Sequence, residues 1–237
     1  MNNVSVDGEN MEAEAGAPLI KAVNTAASAG LSGIESLAGI PGTIGGAVRG
    51  NAGAFGSEMK TNVDSVKVFD CGKSEVVVYN NADCKFGYRS SVFKDTDNLI
   101  ILSVKLKLIS TSQGEARKKV AEVISKRTSS GLHGFKCAGS YFMNPMVENK
   151  ELLEEFAKEN GAPSKNGKLP AGWVIDRAGL RGKKIGGAQI SEKHANYIIN
   201  AGDATADDVV MLASFVKQQV RDQFGIQLQE EVNYIGF

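Results

Sequence analysis

Hydrophobic and polar positions change period several times along the 237 residues, and each change marks an element. In residues 18–29, PLIKAVNTAASA, the apolar positions Leu19, Ile20, Val23, Ala26 and Ala27 form one stripe, which predicts a short amphipathic helix stopped by Gly30. Val66 to Phe69 and Glu75 to Tyr79 flank Asp70-Cys71-Gly72-Lys73, a hairpin signature, while Leu102, Val104, Leu106 and Leu108 alternate with polar neighbours as in a half-buried strand. These segments predict one sheet. From about Gly114 the helical period returns in Val120, Val123 and Ile124, followed by Leu152, Leu153 and Phe156 on a second, charged-faced helix, so a domain boundary is expected near residue 112. The clearest helix begins at Thr205, where Asp208 completes an approximate capping box, runs through Val209, Leu212, Phe215, Val216 and Val220, and stops at Gly225. A short strand, Val232 to Ile235, is expected after it. The polar segment from Glu148 to Lys168, with Pro163, Ser164, Asn166 and Gly167, reads as a surface excursion.

Residues 39–56, GIPGTIGGAVRGNAGAFG, break every period, with seven glycines in eighteen positions. Backbone lacking Cβ atoms can bring N–H groups close to a phosphate and can take positive φ, so this loop region is a candidate phosphate or dinucleotide site. Tight structural turns explain the same glycines equally well. The stretch is neither a Walker A loop, because no Gly-Lys-Ser/Thr follows, nor a strand–GxGxxG–helix fingerprint. Composition narrows the partners: 27 Lys plus Arg balance 27 Asp plus Glu, so no net field draws the chain to nucleic acid or an anionic membrane. Cys71, Cys84 and Cys137 are odd in number and widely spaced, which argues against a disulfide framework or closed zinc site and fits a reducing cytoplasm. No segment has the signal-peptide pattern or the length of a membrane span. No metal is expected.

Five blocks, in order, resemble the MurB family of bacterial flavoenzymes, the UDP-N-acetylenolpyruvylglucosamine reductases (UDP-N-acetylmuramate dehydrogenases). They are GLSGIESLAGIPGTIGGAVRGNAGAFGSEM (30–59), FGYRSSVFK (86–94), AGSYFMNP (138–145), LPAGWVIDRAGLRGKKIGGAQISEKHANYIIN (169–200) and FGIQLQEEVNYIG (224–236). The resemblance implies an α+β chain: half of a two-subdomain FAD-binding fold over residues 1–112, then a MurB-type UDP-sugar domain over 113–237 whose last strand, about 228–237, returns toward the flavin domain. It implies tightly bound FAD, NADPH as hydride donor, and entry of the enolpyruvyl sugar into the cleft that NADPH has left. Flavin contacts are implied at Gly39, Ile40, Pro41, Gly42, Thr43, Gly45, Gly46, Asn51, Gly53 and Ala54. Ser140 matches the serine that donates a proton to the reduced substrate, Arg89 the arginine facing its carboxylate, and Glu231 the glutamate that polarises or orients the intermediate. Tyr88, Asn144 and His194 fall around the substrate by the same matching. In isolation these types are ordinary turn, surface or core residues; the block context singles them out. Trp173 reads as packing, and His133 is left unassigned.

Departures from the family pattern are also legible. The family begins with about seventy more residues, and residues 1–17 look like only the closing strands of that first subdomain. On this reading half of the FAD site and the sheet mate of the first strands are missing. The true start then lies upstream, or a separate chain supplies the domain, or the protein is a remnant. Met143 stands where lysine is usual, and Lys126, Arg127 or Lys136 are the substitutes for a pyrophosphate contact. Gln229-Glu230 stands where Glu-Pro is common, with one of the paired glutamates, Glu230 or Glu231, expected to face solvent. The alternative to a reductase is a non-catalytic relative that binds a UDP-sugar or a partner chain; a flavoenzyme acting on another substrate is a further rival.

Overall fold

The computed structural model describes residues 1–129 and 136–236 and divides into two units, 1–129 and 130–237. In the first, β1 (Val4–Asp7) and β2 (Asn10–Glu14) form a hairpin ahead of α1 (Leu19–Ser28) and β3 (Leu31–Ser32). There follow α2 (Ile44–Arg49), β4 (Gly53–Ala54), β5 (Ser57–Glu58), β6 (Val63–Asp70), β7 (Glu75–Asn80), α3 (Val92–Asp95), β8 (Leu99–Lys107), β9 (Ile109–Ser110) and α4 (Gln113–Ser129). The main sheet has the order β1-β2-β8-β6-β7, antiparallel throughout. Its register aligns Ala13 with Val104 and Val104 with Val66, so small and β-branched side chains share one face. These residues are buried with Met11, Leu106 and the apolar stripe of α1. Burying each Val or Leu contributes roughly 1.5–3 kcal/mol, and a one-residue slip would turn the set to solvent, which fixes the pairing.

Three features of this unit differ from the sequence expectation. The stripe of α1 is Leu19, Ala22, Val23, Ala26 and Ala27, while Ile20 is 37% exposed; a helix admits i, i+3, i+4, i+7 and i+8 to one face, and Ile20 lies off it. The first strands do have a sheet mate, because β2 pairs with β8 from Asn10↔Lys107 to Glu14↔Ser103. The change of period near 112 marks the start of α4, which buries Ala116 and Val120 in the same core as α1. That packing places the helix in the first unit.

The second unit contains β10 (Cys137–Ser140), α5 (Lys150–Asn160), α6 (Ala171–Arg177), β11 (Lys184–Ile185), β12 (Ala188–Ile190), β13 (Tyr197–Asn200) and α7 (Ala206–Phe224). Its sheet runs β10-β13-β12-β11, and Ala188 and Ile190 share a core with Leu212, Val216 and Val220 of α7 and Val174 of α6. The capping box of α7 forms as the sequence predicts, with Thr205 Oγ1 accepting from Asp208 N and the Asp208 carboxylate accepting from Thr205 N. Gly225 ends the helix at φ 69°. The excursion 148–168 holds a capped helix, α5, whose Phe156 packs edge-on against Trp173 at 5.4 Å, so Trp173 is indeed a packing residue. The expected strand Val232–Ile235 does not form. Pairing stops where Met143 N donates to Gln229 O and Glu231 N to Tyr141 O, and Ile235 is 88% exposed beyond it. His133 lies outside the described residues.

Candidate functional site

The glycine-rich stretch is a built structure rather than a plain loop. Thr43 caps α2 by accepting from Gly46 N at 3.2 Å, and two further N–H groups at the helix start go to the chain after β2: Ile44 N to Ala17 O and Gly45 N to Ala15 O. The first-turn donors are therefore spent on protein. Gly45 is required by this approach, since a Cβ there would lie 2.9 Å from Ala15 Cβ. Gly42, at φ 128°, takes a conformation open to glycine and accepts Leu19 N through its carbonyl. Gly39, at φ 78°, faces Arg127, whose Cδ would stand 2.9 Å from a Cβ. Ile40 packs on the core, and Pro41 is exposed.

Beside α2 is a cavity of about 300 Å3 lined by Ala15, Gly16, Thr43, Gly45, Gly46, Arg49, Phe93, Leu99 and Ile101. Side-chain-free backbone, one guanidinium and an apolar wall suit part of an anionic nucleotide with a flat ring, so the lining fits a portion of a flavin cofactor. Arg49 and Phe93 were missed by sequence reasoning. The only signal for Arg49 was its being the lone cation within the glycine run.

The Asn51 side chain is bonded within the protein. It is fully buried at φ 43°, and its amide Nδ2 donates to Glu58 Oε2 at 2.9 Å and to Gly87 O at 2.8 Å, while Oδ1 accepts Lys60 N at 3.0 Å. Both donors are thus committed to protein. Burial alone would raise the Glu58 carboxyl, but the bonds from Lys60 and Asn51 and the charges of Lys60 and Arg89 hold it below the usual range. The other end of this network is the turn 87–90, closed by Gly87 N to Ser90 O at 3.0 Å. Arg89 sits in it at φ 56°, over the Tyr88 ring at 5.2 Å and donating to Gly53 O at 3.1 Å. Gly53 and Ala54 form β4, and a Cβ on Gly53 would lie 2.8 Å from Ser57 O.

In the second unit, four of the expected residues gather about the end of β10. Gly139 takes φ 83° where the β10–β13 register shifts between Cys137 and Ser140, a bulge that re-aims Ser140, half-buried opposite Tyr197. The chain after Ser140 is gripped on both sides. On one, Tyr141 N donates to Asn196 O, and the Asn196 amide accepts Phe142 N at 2.9 Å and donates to Phe142 O at 2.8 Å. On the other lies the segment carrying Glu231. Asn144 Oδ1 accepts the first N–H of α6, Ala171 N, at 3.0 Å. His194 Nδ1 accepts Asn196 N at 3.2 Å; burial, then the nearby Arg181 charge, push its pKa below the ordinary imidazole value, which favours the neutral ring. Glu230 is not turned out to solvent but bonds Lys217 of α7 at 2.6 Å. Asn196, buried and bidentate, escaped the sequence reading, although a polar residue inside the apolar run NYII was its trace. Of the substitute cations, Arg127 belongs to the first unit, over the Phe55 ring at 5.2 Å. Lys136 is exposed. Arg89 belongs to the first unit, Ser140 and Glu231 to the second.

Comparison with known proteins finds a match in each of the two units. The model of the FAD binding domain matches residues 1–80, and that of the UDP-N-acetylenolpyruvoylglucosamine reductase C-terminal domain matches 129–235. The UDP-N-acetylenolpyruvoylglucosamine reductase of Solibacter usitatus is 37% identical over 236 residues, 99% of this chain and 74% of the relative. That of Caldanaerobacter subterraneus is 36% identical over 236 residues, 100% of this chain and 70% of the relative. The crystal structure of the reductase from Thermus caldophilus superposes with TM-score 0.73 at 34% identity, covering 97% of this chain and 73% of that one.

Proposed function

Because the chain belongs to the UDP-N-acetylenolpyruvoylglucosamine reductase family, FAD-dependent oxidoreductases with NADPH as hydride donor, we propose that it converts UDP-N-acetylglucosamine enolpyruvate to UDP-N-acetylmuramate. The reaction would serve peptidoglycan precursor synthesis in the cytoplasm; no helix among the described residues is long and apolar enough to cross a membrane. The observation that carries the reading is the clustering of Ser140, Asn144, His194 and Glu231 about the end of one bulged strand. FAD, when bound, supplies hydride chemistry between NADPH and the enolpyruvyl double bond.

The chain's residues do the remaining work. Hydride addition to one carbon leaves negative charge on its neighbour and the attached carboxylate, which must then be protonated. Ser140 is the proton donor, a task for a hydroxyl only where the developing charges are stabilised. Arg89 supplies a planar guanidinium matched to the carboxylate, and its left-handed turn, tied to Asn51 through Gly87 O, fixes where that fork stands. Glu231 orients the intermediate. With Nδ1 of His194 accepting Asn196 N, a neutral ring carries its proton on Nε2 and can donate one hydrogen bond there without adding charge. The glycine backbone, Arg49 and Phe93 hold part of the cofactor.

The test is the visible spectrum of the purified chain with FAD, followed by anaerobic NADPH and then the enolpyruvyl sugar. Bleaching by NADPH and recovery with that sugar support the reductase. Absence of bound flavin with intact UDP-sugar binding favours a non-catalytic relative, and bleaching with recovery only from other acceptors favours a different substrate.

A further inference from the structure

The segment that carries Glu231 is attached to the Ser140 strand by backbone pairing and by a bond made by side chains alone. Backbone pairing joins Met143 N to Gln229 O and Glu231 N to Tyr141 O, both at 2.8 Å, with Phe142 opposite Glu230. Past Glu231 no strand forms among the described residues. Three residues on, the Tyr234 hydroxyl meets the Tyr141 hydroxyl at 2.7 Å. The two rings are unequally placed: Tyr141 is 4% exposed and packs at 5.0 Å against Phe142, whereas Tyr234 is 44% exposed. Burial and this bond push the Tyr141 phenol above its ordinary range, so it stays protonated. On the other flank, Lys217 holds Glu230 to α7. The segment is therefore fastened at Glu231 by a backbone bond to its own N–H and again, three residues later, by a hydroxyl bond.

We propose that Tyr141 and Tyr234 are positioning residues, a hydroxyl clasp that keeps the Glu231 segment in register against the strand bearing Ser140. Its effect on the reaction rests on the proposed reductase activity; its effect on the segment does not. The two tyrosines sit directly after Ser140 and three positions after Glu231, so releasing the clasp frees the geometry between those two groups without removing either. A misplacement of this kind affects the step that uses both groups and spares the one that uses neither.

The test compares the full chain with Tyr234→Phe and with the double variant Tyr141→Phe/Tyr234→Phe, by amide hydrogen exchange, thermal melting and the two flavin half-reactions. Tyr234→Phe strands a buried hydroxyl, so the melting temperature falls, exchange at residues 229–232 rises about fivefold, the factor of one neutral hydrogen bond, and reoxidation by the enolpyruvyl sugar slows while reduction by NADPH does not. In the double variant no buried hydroxyl is left unpaired. Melting then recovers toward wild type, while the faster exchange and slow reoxidation persist. Unchanged exchange at the Glu231 amide in Tyr234→Phe, or joint recovery of all three readouts in the double variant, overturns the clasp. If the wild-type reduced flavin is not reoxidised by the sugar at all, the proposed function fails separately and exchange alone decides the clasp.

Discussion

Replacing Asn51 by Ala removes the centre of the network that holds the Arg89 turn. Three hydrogen bonds are lost, to Glu58, Gly87 and Lys60, each worth about 1 kcal/mol net. The left-handed backbone at φ 43°, which asparagine tolerates, costs alanine about 1 kcal/mol more. The Glu58 side chain is 33% exposed and recovers some bonding from water, so the expected loss is roughly 3–4 kcal/mol. Native-state hydrogen exchange of the slowest amides of β6 and β8, measured without flavin, reads the stability of this unit. Protection should fall roughly several hundredfold, at 1.36 kcal/mol per factor of ten. If Asn51 were instead a cofactor ligand, the apo protein would be little affected and FAD affinity would fall. A loss of protection below about tenfold, at that same conversion, together with weakened FAD binding, would falsify the role of Asn51 as a structural hub.

Three other outcomes are expected. Ser140→Ala should leave reduction of bound flavin by NADPH nearly intact and slow reoxidation by the enolpyruvyl sugar by orders of magnitude; equal slowing of both half-reactions in stopped-flow absorbance removes Ser140 as proton donor. The folded pKa of His194 is lowered from 6.5, so the unfolded chain binds the proton more readily. Its share of stability is intact above about pH 6.5 and is lost as pH falls through the folded value. The wild-type minus His194→Asn difference in urea midpoints should shrink over that range, and a pH-independent difference contradicts the assignment. Thr205→Ala removes the capping box of α7 and should cost about 1 kcal/mol, read as a lower denaturation midpoint at unchanged m value; no shift would mean the cap carries no net energy.

Local chemistry made much of the architecture readable. The limits of α7 follow from Thr205, Asp208 and Gly225, whose side-chain cap and positive φ act within one helical turn. The hairpin β6–β7 and the alternation along β8 follow from a two-residue period that any half-buried strand must obey. Where reading failed, the deciding partner was distant in sequence. Val232 to Ile235 has strand-like residues, but among the described residues no neighbouring strand pairs them, and the expected strand gives way to a clasp. Residues 39–56 read as aperiodic, yet 44–49 form a helix because Thr43 caps it and Ala15 and Ala17 accept its first N–H groups.

The site divides along the same line. The blocks around Arg89, Ser140 and Glu231 were visible as patterns, since motif residues and their order survive in sequence. Sequence alone determined the composition of the sheet faces, the helix caps and the family, because each is written in neighbours or in blocks matched as wholes. Tertiary structure decided that Asn51 is a buried hub, that α4 packs in the first unit, that Glu230 pairs with Lys217 and that Tyr234 reaches Tyr141. Those outcomes depend on which groups meet across separations from 13 to 93 residues of chain, and a buried amide, carboxylate or hydroxyl takes its role from the partner that satisfies it, which its own neighbours in sequence do not specify.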